Sequence, residues 1–366
     1  MVQASDTGTG MNPHNRAPIR VLLVDDSPLA LTALRRLLSA SPEIQVVGTA
    51  QNGREALELI PQLQPAVICT DLHMPVMDGL ELTREVMLRY PRPILVVSVS
   101  VQRDDTTNIF RLLEAGAVDV CPKPCSGLVT DEGQVTQELI AKIKILSGVM
   151  VFRRHRHASL PPAAPGHAQR SVIGPAAVRI VAIGASTGGP QALQTILTEL
   201  PADFPAPILC VQHISDGFLQ GLVDWLAAQC RLEVKIAQPG ELALPGTIYF
   251  PQERTHLEID DDGRLMSSLA PPLEGHRPSV TLTFQSMARS YGSAAVGILL
   301  TGMGRDGAEG MRAIAQVAGI TIAQDEESCA VFGMPKQAID LGAAQYILPV
   351  HEIARALTHL LPVRVS

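Results

Sequence analysis

Two hydrophobic rhythms alternate along this chain from Ile19 onward. Short runs are apolar on both faces, and between them lie longer stretches with an apolar residue every three or four positions. The first rhythm marks strands buried inside a parallel sheet, the second marks helices with one buried face. In the first half the strand-like runs are Arg20–Val24, Gln45–Thr49, Ala66–Thr70, Pro93–Ser98 and Val118–Cys121. Helical patterns fall near 28–40, 53–63, 79–90 and 105–115, with a last one near 134–148. Five βα units in series predict a parallel sheet covered by helices on both sides, an α/β fold.

The rhythm stops near residue 150 and resumes at Val178. Between them, ASLPPAAPGHAQRSVIGPAA has no period and little charge, which reads as a semi-extended linker. The second half predicts strands at 180–184, 207–212, 232–236, 247–250, 295–301 and 319–323, again α/β and mainly parallel. Residues 247–269 break the pattern, and Asp261-Asp262-Gly263 between short runs predicts a β-hairpin insertion. The expected organisation is a disordered start (1–17), a first domain (18–149), a linker (150–177) and a doubly wound second domain (178–366). The 366 residues match two domains of ~150 each.

Charge and composition narrow the possibilities. Aromatics are only 3% of residues, so both cores must be aliphatic. Net charge is −7, and the four arginines of 146–177 sit among Pro, Ala, His and Gly. An acidic chain without an aromatic-studded basic surface is a poor nucleic-acid binder, and a transcription-factor output would need a basic recognition helix. No apolar run reaches the ~18 residues of a membrane span and no leader opens the chain, so the expectation is a cytoplasmic protein that is not inserted in a membrane. Six scattered cysteines without a CxxC pair read as buried free thiols.

Chemistry gathers where the strands end. In the first half, strands run into Asp25-Asp26, Asp71, Ser98 and Lys123. In an open parallel sheet all carboxyl ends lie on one edge, so these residues should converge. Three carboxylates together repel unless a divalent cation sits among them, and oxygen ligands suit Mg²⁺. A lysine and a hydroxyl beside them would hold a tetrahedral anion, which makes this a place to carry a phosphoryl group on an aspartate.

VLLVDDSP, CTDLHMPVMDGLEL and CPKP, in this order and spacing, resemble the receiver domain of two-component response regulators, whose sheet is flavodoxin-like. The resemblance implies Asp71 as phosphoacceptor and Asp25, Asp26, Asp71 and the His73 backbone carbonyl as Mg²⁺ ligands. It also implies Ser98 and Lys123 against the phosphoryl oxygens, a cis Lys123–Pro124 bond, and a sensor histidine kinase as phosphodonor. Val120 stands where many receivers have a switching aromatic, and His73 is an unusual neighbour for the acceptor.

In the second half, RIVAIGASTGGPQALQTILTEL passes from a buried strand through Gly184-Ala185-Ser186-Thr187-Gly188-Gly189 into a helix opened by Pro190. A serine on such a turn is lifted clear of its neighbours, as in a nucleophile elbow. Backbone N–H groups at a helix start also cradle anions, so the motif alone fits an anion-binding loop as well. A dinucleotide site would want G-x-G-x-x-G, but Ser186 takes the second glycine position. His213 and Asp306 also follow apolar strands, completing a Ser, His and Asp set. Their order is unlike that of α/β-hydrolases, although the mechanics carry over between folds. The Gly302-Met303-Gly304 loop is suited to offer N–H groups to an oxyanion. His256 and His276 are competing bases and Asp325 a competing acid; His213 is preferred because it closes a continuous apolar strand.

These segments, with YFPQERTHLEI, HRPSVTLTF and SCAVFGMPKQAI, resemble the catalytic domain of the CheB family of chemotaxis protein-glutamate methylesterases. The resemblance covers nearly the whole chain from Ile19. It implies hydrolysis of glutamate methyl esters on the cytoplasmic helices of methylated chemoreceptors, with methanol released and some glutamines deamidated. Ser186 would be nucleophile, His213 base and Asp306 its orienter. Thr187 and the Met303 amide would assist the oxyanion, and the ester step would need no cofactor. The proline-rich linker, uncharged apart from Arg170, should transmit little by its own stiffness, so control is expected from receiver packing near the edge that bears Ser186.

Overall fold

The computed structural model describes residues 17–98, 103–124, 132–149, 151 and 178–361. The expected disordered start, up to residue 16, and the expected linker, Val151 apart, lie outside the described residues.

In the first half, β1 (Ile19–Val24), β2 (Ile44–Ala50), β3 (Val67–Thr70), β4 (Ile94–Ser98) and β5 (Asp119–Pro122) form one sheet. They alternate with α1 (Pro28–Leu38), α2 (Gly53–Leu63), α3 (Gly79–Arg89), α4 (Arg103–Ala115) and α5 (Glu132–Leu146). The strand order is β2-β1-β3-β4-β5, and every pairing is parallel. The order reverses at β1, which opens a crevice beyond the carboxyl ends of β1 and β3. Helix starts follow the local chemistry: Ser27 Oγ accepts the Ala30 N–H and Pro28 opens α1, while Asp78 caps α3.

The second half begins with β6 (Ile180–Ala185), α6 (Gly189–Leu197), β7 (Ile208–Gln212), α7 (Leu219–Ala227), β8 (Glu233–Ile236) and β9 (Thr247–Phe250). The hairpin β10 (His256–Ile259) and β11 (Leu265–Ser268) follows, antiparallel across the Asp261–Gly263 turn. Next come α8 (Val280–Tyr291), β12 (Ala295–Leu299), α9 (Ala308–Gln316) and β13 (Ile320–Gln324). The chain closes on α10 (Met334–Asp340), β14 (Tyr346–Leu348) and α11 (Val350–Leu360). The sheet runs β14-β13-β12-β6-β7-β9-β8, again parallel throughout. Its switch point is β6, between β7 and β12. The sequence pattern misses β14 because its three residues, none of them fully buried, are shorter than the runs that mark a strand.

The two halves share one apolar cluster, in which Phe110 of α4 stacks on Trp225 of α7 with centroids 5.3 Å apart. Polar bonds surround that stack. Trp225 Nε1 donates to Glu114 Oε1 (2.8 Å), and Gln191 Nε2 to the Ala117 carbonyl (2.6 Å). No helix among the described residues is long and apolar enough to cross a membrane. The five described cysteines are free, and burial pushes the Cys69 thiol up to about 12. The cis peptide bond among the described residues is Arg277–Pro278 and not Lys123–Pro124. The two isomers of an X-Pro bond differ by only ~0.5–1 kcal/mol, so surroundings choose between them.

Candidate active site and phosphoryl site

The receiver-like sheet gathers its acidic residues at the crevice beyond β1 and β3. Asp25, Asp26 and Asp71 each offer a carboxylate oxygen, and these atoms lie within 4.8 Å of one another. Lys123 Nζ reaches Asp25 Oδ2 at 2.6 Å and Asp71 Oδ2 at 2.8 Å. Burial raises the Asp71 carboxyl above its ordinary value, against the pull of Lys123 and of the Leu72 N–H on Oδ1 (2.7 Å). For Lys123 burial acts first to lower proton affinity, but the two aspartates outweigh it and the net shift is upward. One lysine cannot balance three carboxylates, so the donor set fits a divalent cation of the oxygen-preferring kind. Ser98 is buried at the end of β4, where its carbonyl accepts the Lys123 N–H (2.9 Å). His73 lies exposed in the loop after Asp71.

In the second half, Ser186 follows β6 on the elbow. Gly188 at φ +75° turns the chain into α6, a conformation that favours glycine. The Ser186 N–H is spent on the Thr301 carbonyl (3.0 Å), which ties the elbow to the end of β12. Gly302 lies directly against the serine: a Cβ there would come within 2.6 Å of Ser186 Cβ. Among the described residues, the N–H of the next residue, Met303, donates to no acceptor.

His213 follows β7, and Gln212 staples the two segments by donating Nε2 to both the Ser186 and His213 carbonyls (2.8 Å each). His213 Nε2 lies 2.9 Å from Asp306 Oδ2, while its Nδ1 is buried with no partner among the described residues. Asp306 sits at the start of α8. It accepts the Val280 N–H on Oδ2 (2.8 Å), and the Thr281 N–H and Ser279 hydroxyl on Oδ1 (3.0 and 2.9 Å). Burial alone would raise this carboxyl; the His213 bond and charge, with the Thr281 donors, hold it well below the ordinary carboxylate range.

Of the competing residues, His256 and Asp325 turn to other partners, whereas His276 lies at the site, against the His213 ring. His256 is fully buried in β10, its Nδ1 accepting the Ser279 N–H (3.1 Å) and its Nε2 near the Pro271 carbonyl (3.2 Å). It cannot meet a substrate. His276 stacks on His213, and Asp325 turns to Ser328, whose N–H and Oγ reach Oδ1 at 3.0 and 2.5 Å.

The receiver reaches this site. Thr187 Oγ1 donates to Asp119 Oδ2 (2.9 Å), and the other Asp119 oxygen is 2.9 Å from Lys142 Nζ. Ser215, two residues past His213, donates to Glu138 Oε1 at 2.5 Å. Sequence reasoning misses Gln212, Ser279, Asp119 and Glu138 as members of this network. The contacts that tie them to the site, with Ser186, Asp306, Thr187 and Ser215 respectively, span 26 or more residues, and an isolated polar residue gives no periodic signal.

Residues 21–129 match the model of the response regulator receiver domain, and residues 181–357 that of the CheB methylesterase. A protein-glutamate methylesterase/protein-glutamine glutaminase of Nitrosospira multiformis is 42% identical over 94% of this chain and 98% of its own length. Another, numbered 4, of Geobacter metallireducens is 40% identical over 93% and 99%. The crystal structure of the Thermotoga maritima CheB methylesterase catalytic domain, 39% identical, aligns with 50% of this chain and 99% of its own at a TM-score of 0.49. With a receiver sheet, a second parallel sheet and relatives matched nearly end to end, this chain belongs to the protein-glutamate methylesterase/protein-glutamine glutaminase family.

Proposed function

We propose that this chain hydrolyses glutamate methyl esters on the cytoplasmic helices of chemoreceptors, under control of phosphorylation at Asp71. The observation that carries this reading is the His213 ring, tied to Asp306 through Nε2 while Nδ1 stays buried and unpartnered. A base oriented by an acid on one nitrogen and open on the other is what a neighbouring serine hydroxyl requires. Ser186 Oγ attacks the ester carbonyl as its proton passes to His213 Nδ1. The Met303 N–H and Thr187 stabilise the oxyanion that forms. The tetrahedral intermediate collapses, the C–OCH₃ bond breaks, and His213 returns the proton to give methanol. Water, deprotonated by His213, then cleaves the acyl-serine and leaves a free glutamate. A glutamine side chain would follow the same path with ammonia leaving.

Asp25, Asp26 and Asp71 would hold Mg²⁺, which supplies positive charge for an incoming phosphoryl group. Asp71 accepts that group from a sensor histidine kinase, with Ser98 and Lys123 against its oxygens. In the state described, Asp119 engages the Thr187 hydroxyl that the oxyanion needs. Asp119 and Lys123 lie on one strand and its continuation, so a new charge beside Lys123 bears on the same backbone. The chain works in the cytoplasm on this reading, facing receptor helices.

Methanol release from a methylated receptor fragment tests the assignment. Ser186→Ala should abolish it while leaving Asp71 phosphorylation intact, because an elbow hydroxyl leaves no core cavity. Residual activity within about tenfold of the parent, against the ~10⁶-fold loss typical of a serine nucleophile, would mean another residue attacks.

A further inference from the structure

Asp306 fixes His213 only at one edge of the ring. A single Nε2–H···Oδ2 bond leaves the imidazole able to rock about that contact, and rocking carries Nδ1 off the line to a reacting hydroxyl. The face of the ring is held by a different residue. His276 lies flat on His213, with ring centroids 4.1 Å apart and planes parallel.

The platform is itself anchored. Leu273 and His276 exchange both backbone hydrogen bonds, at 3.1 and 2.9 Å, around Glu274 and Gly275. Both central residues have positive φ (+53° and +87°), the geometry of a tight two-residue hairpin turn. The Glu274 carboxylate pairs with Arg305 (2.8 Å), next to Asp306. Beyond His276, Ser279 bonds Asp306 directly through Oγ. The buried His256 closes the loop at its base, with Ser279 on Nδ1 and Pro271 on Nε2. The ring that touches the face of His213 and the acid that touches its edge therefore belong to one cross-braced body.

We propose that His276 is a positioning residue for the ester hydrolysis above: its ring is the platform that keeps His213 Nδ1 in line with Ser186. This rests on the Ser186, His213 and Asp306 reading. The platform has to stay uncharged while His213 carries the serine proton, since two stacked imidazolium rings would repel. Burial lowers the proton affinity of His276, and the charge of His213 lowers it further.

The test compares His276→Ala, His276→Gln and His276→Phe in the full chain, activated by a small phosphodonor. Alanine and glutamine remove the ring; phenylalanine keeps a flat ring without an ionisable nitrogen. An aromatic pair is worth ~0.5–1.5 kcal/mol, which converts to about 2- to 12-fold. Methanol release from methylated receptor fragment should therefore lose about that factor in kcat for the Ala and Gln variants, with KM unchanged. The Phe variant should return close to the parent rate. A second readout needs no esterase activity: the His213 Nε2 proton bound to Asp306, followed by NMR in ¹⁵N-histidine-labelled protein. Its signal should stay sharp in the parent and Phe variant and broaden in the Ala and Gln variants. An inactive parent would fall on the reading of the site, while the NMR signal would still judge His276. Three results would overturn the proposal: an unchanged kcat and signal without the ring, a change in KM alone, or a folded Phe variant as slow as Gln.

Discussion

The Thr187 hydroxyl lies 2.9 Å from Asp119 Oδ2, a hydrogen bond from the elbow of one domain to the last strand of the other. Thr187 follows the proposed nucleophile, and Asp119 lies four residues before Lys123. The bond joins the two ends of the regulatory problem. Around it, the Trp225 stack on Phe110 and its bond to Glu114 hold the halves together. An aromatic pair contributes ~0.5–1.5 kcal/mol and a bond to a charged group ~1.5–3 kcal/mol. Trp225→Ala should therefore raise receptor ester hydrolysis by the unphosphorylated full chain about tenfold or more. A fragment of residues 178–366 should likewise outpace it on receptor substrate, with much less difference on small soluble esters. Unchanged rates on the receptor would mean that these contacts do not restrain the site.

Replacing His213 or Asp306 should separate proton transfer from orientation. His213→Gln removes the base and should cost about as much as losing the serine, ~10⁶-fold. Asp306→Asn leaves a base in the wrong tautomer and should cost less, ~10⁴-fold. His256→Gln should chiefly lower stability, by ~1–3 kcal/mol, because it unpairs buried groups. Single-turnover methanol release and urea unfolding distinguish these cases. A His256→Gln variant that is stable yet slower than His213→Gln would reassign the base.

Acid should unfold the second domain partly through Asp306. Its folded-state carboxyl is held well below the ordinary 3.8, so the unfolded chain binds the proton first as pH falls. The stabilisation is complete above 3.8 and is lost as pH drops toward the lower folded-state value. Urea unfolding followed below pH 5 should show a steeper loss for the parent than for Asp306→Asn. Parallel slopes would mean that another carboxylate governs the acid limb.

Phosphoryl uptake should depend on the acidic crevice. Chelation of divalent cations should suppress labelling of Asp71 by a phosphodonor, and added Mg²⁺ should restore it. Asp71→Asn should remove activation by the phosphodonor yet keep basal ester hydrolysis. Radiolabel that persists in the Asn variant would locate the acceptor elsewhere.

Both parallel sheets were legible in the sequence because strands buried on two faces must be apolar at nearly every position. The convergence of Asp25, Asp71 and Lys123 followed from the same reading, since a parallel sheet puts every carboxyl end on one edge. Ser186 was legible because an elbow needs small residues beside it in the sequence. The choice among three histidines rested on where an apolar strand ends, a local signal that places His213 but says nothing of the other two. Only the tertiary structure put His256 in the core behind Ser279, laid His276 on His213, and set Asp306 at the start of α8. The meeting of Asp119 with Thr187, 68 residues apart, was equally beyond the sequence. Periodicity records which face of an element is buried; it carries no information about which polar groups meet once two elements from distant parts of the chain are packed together.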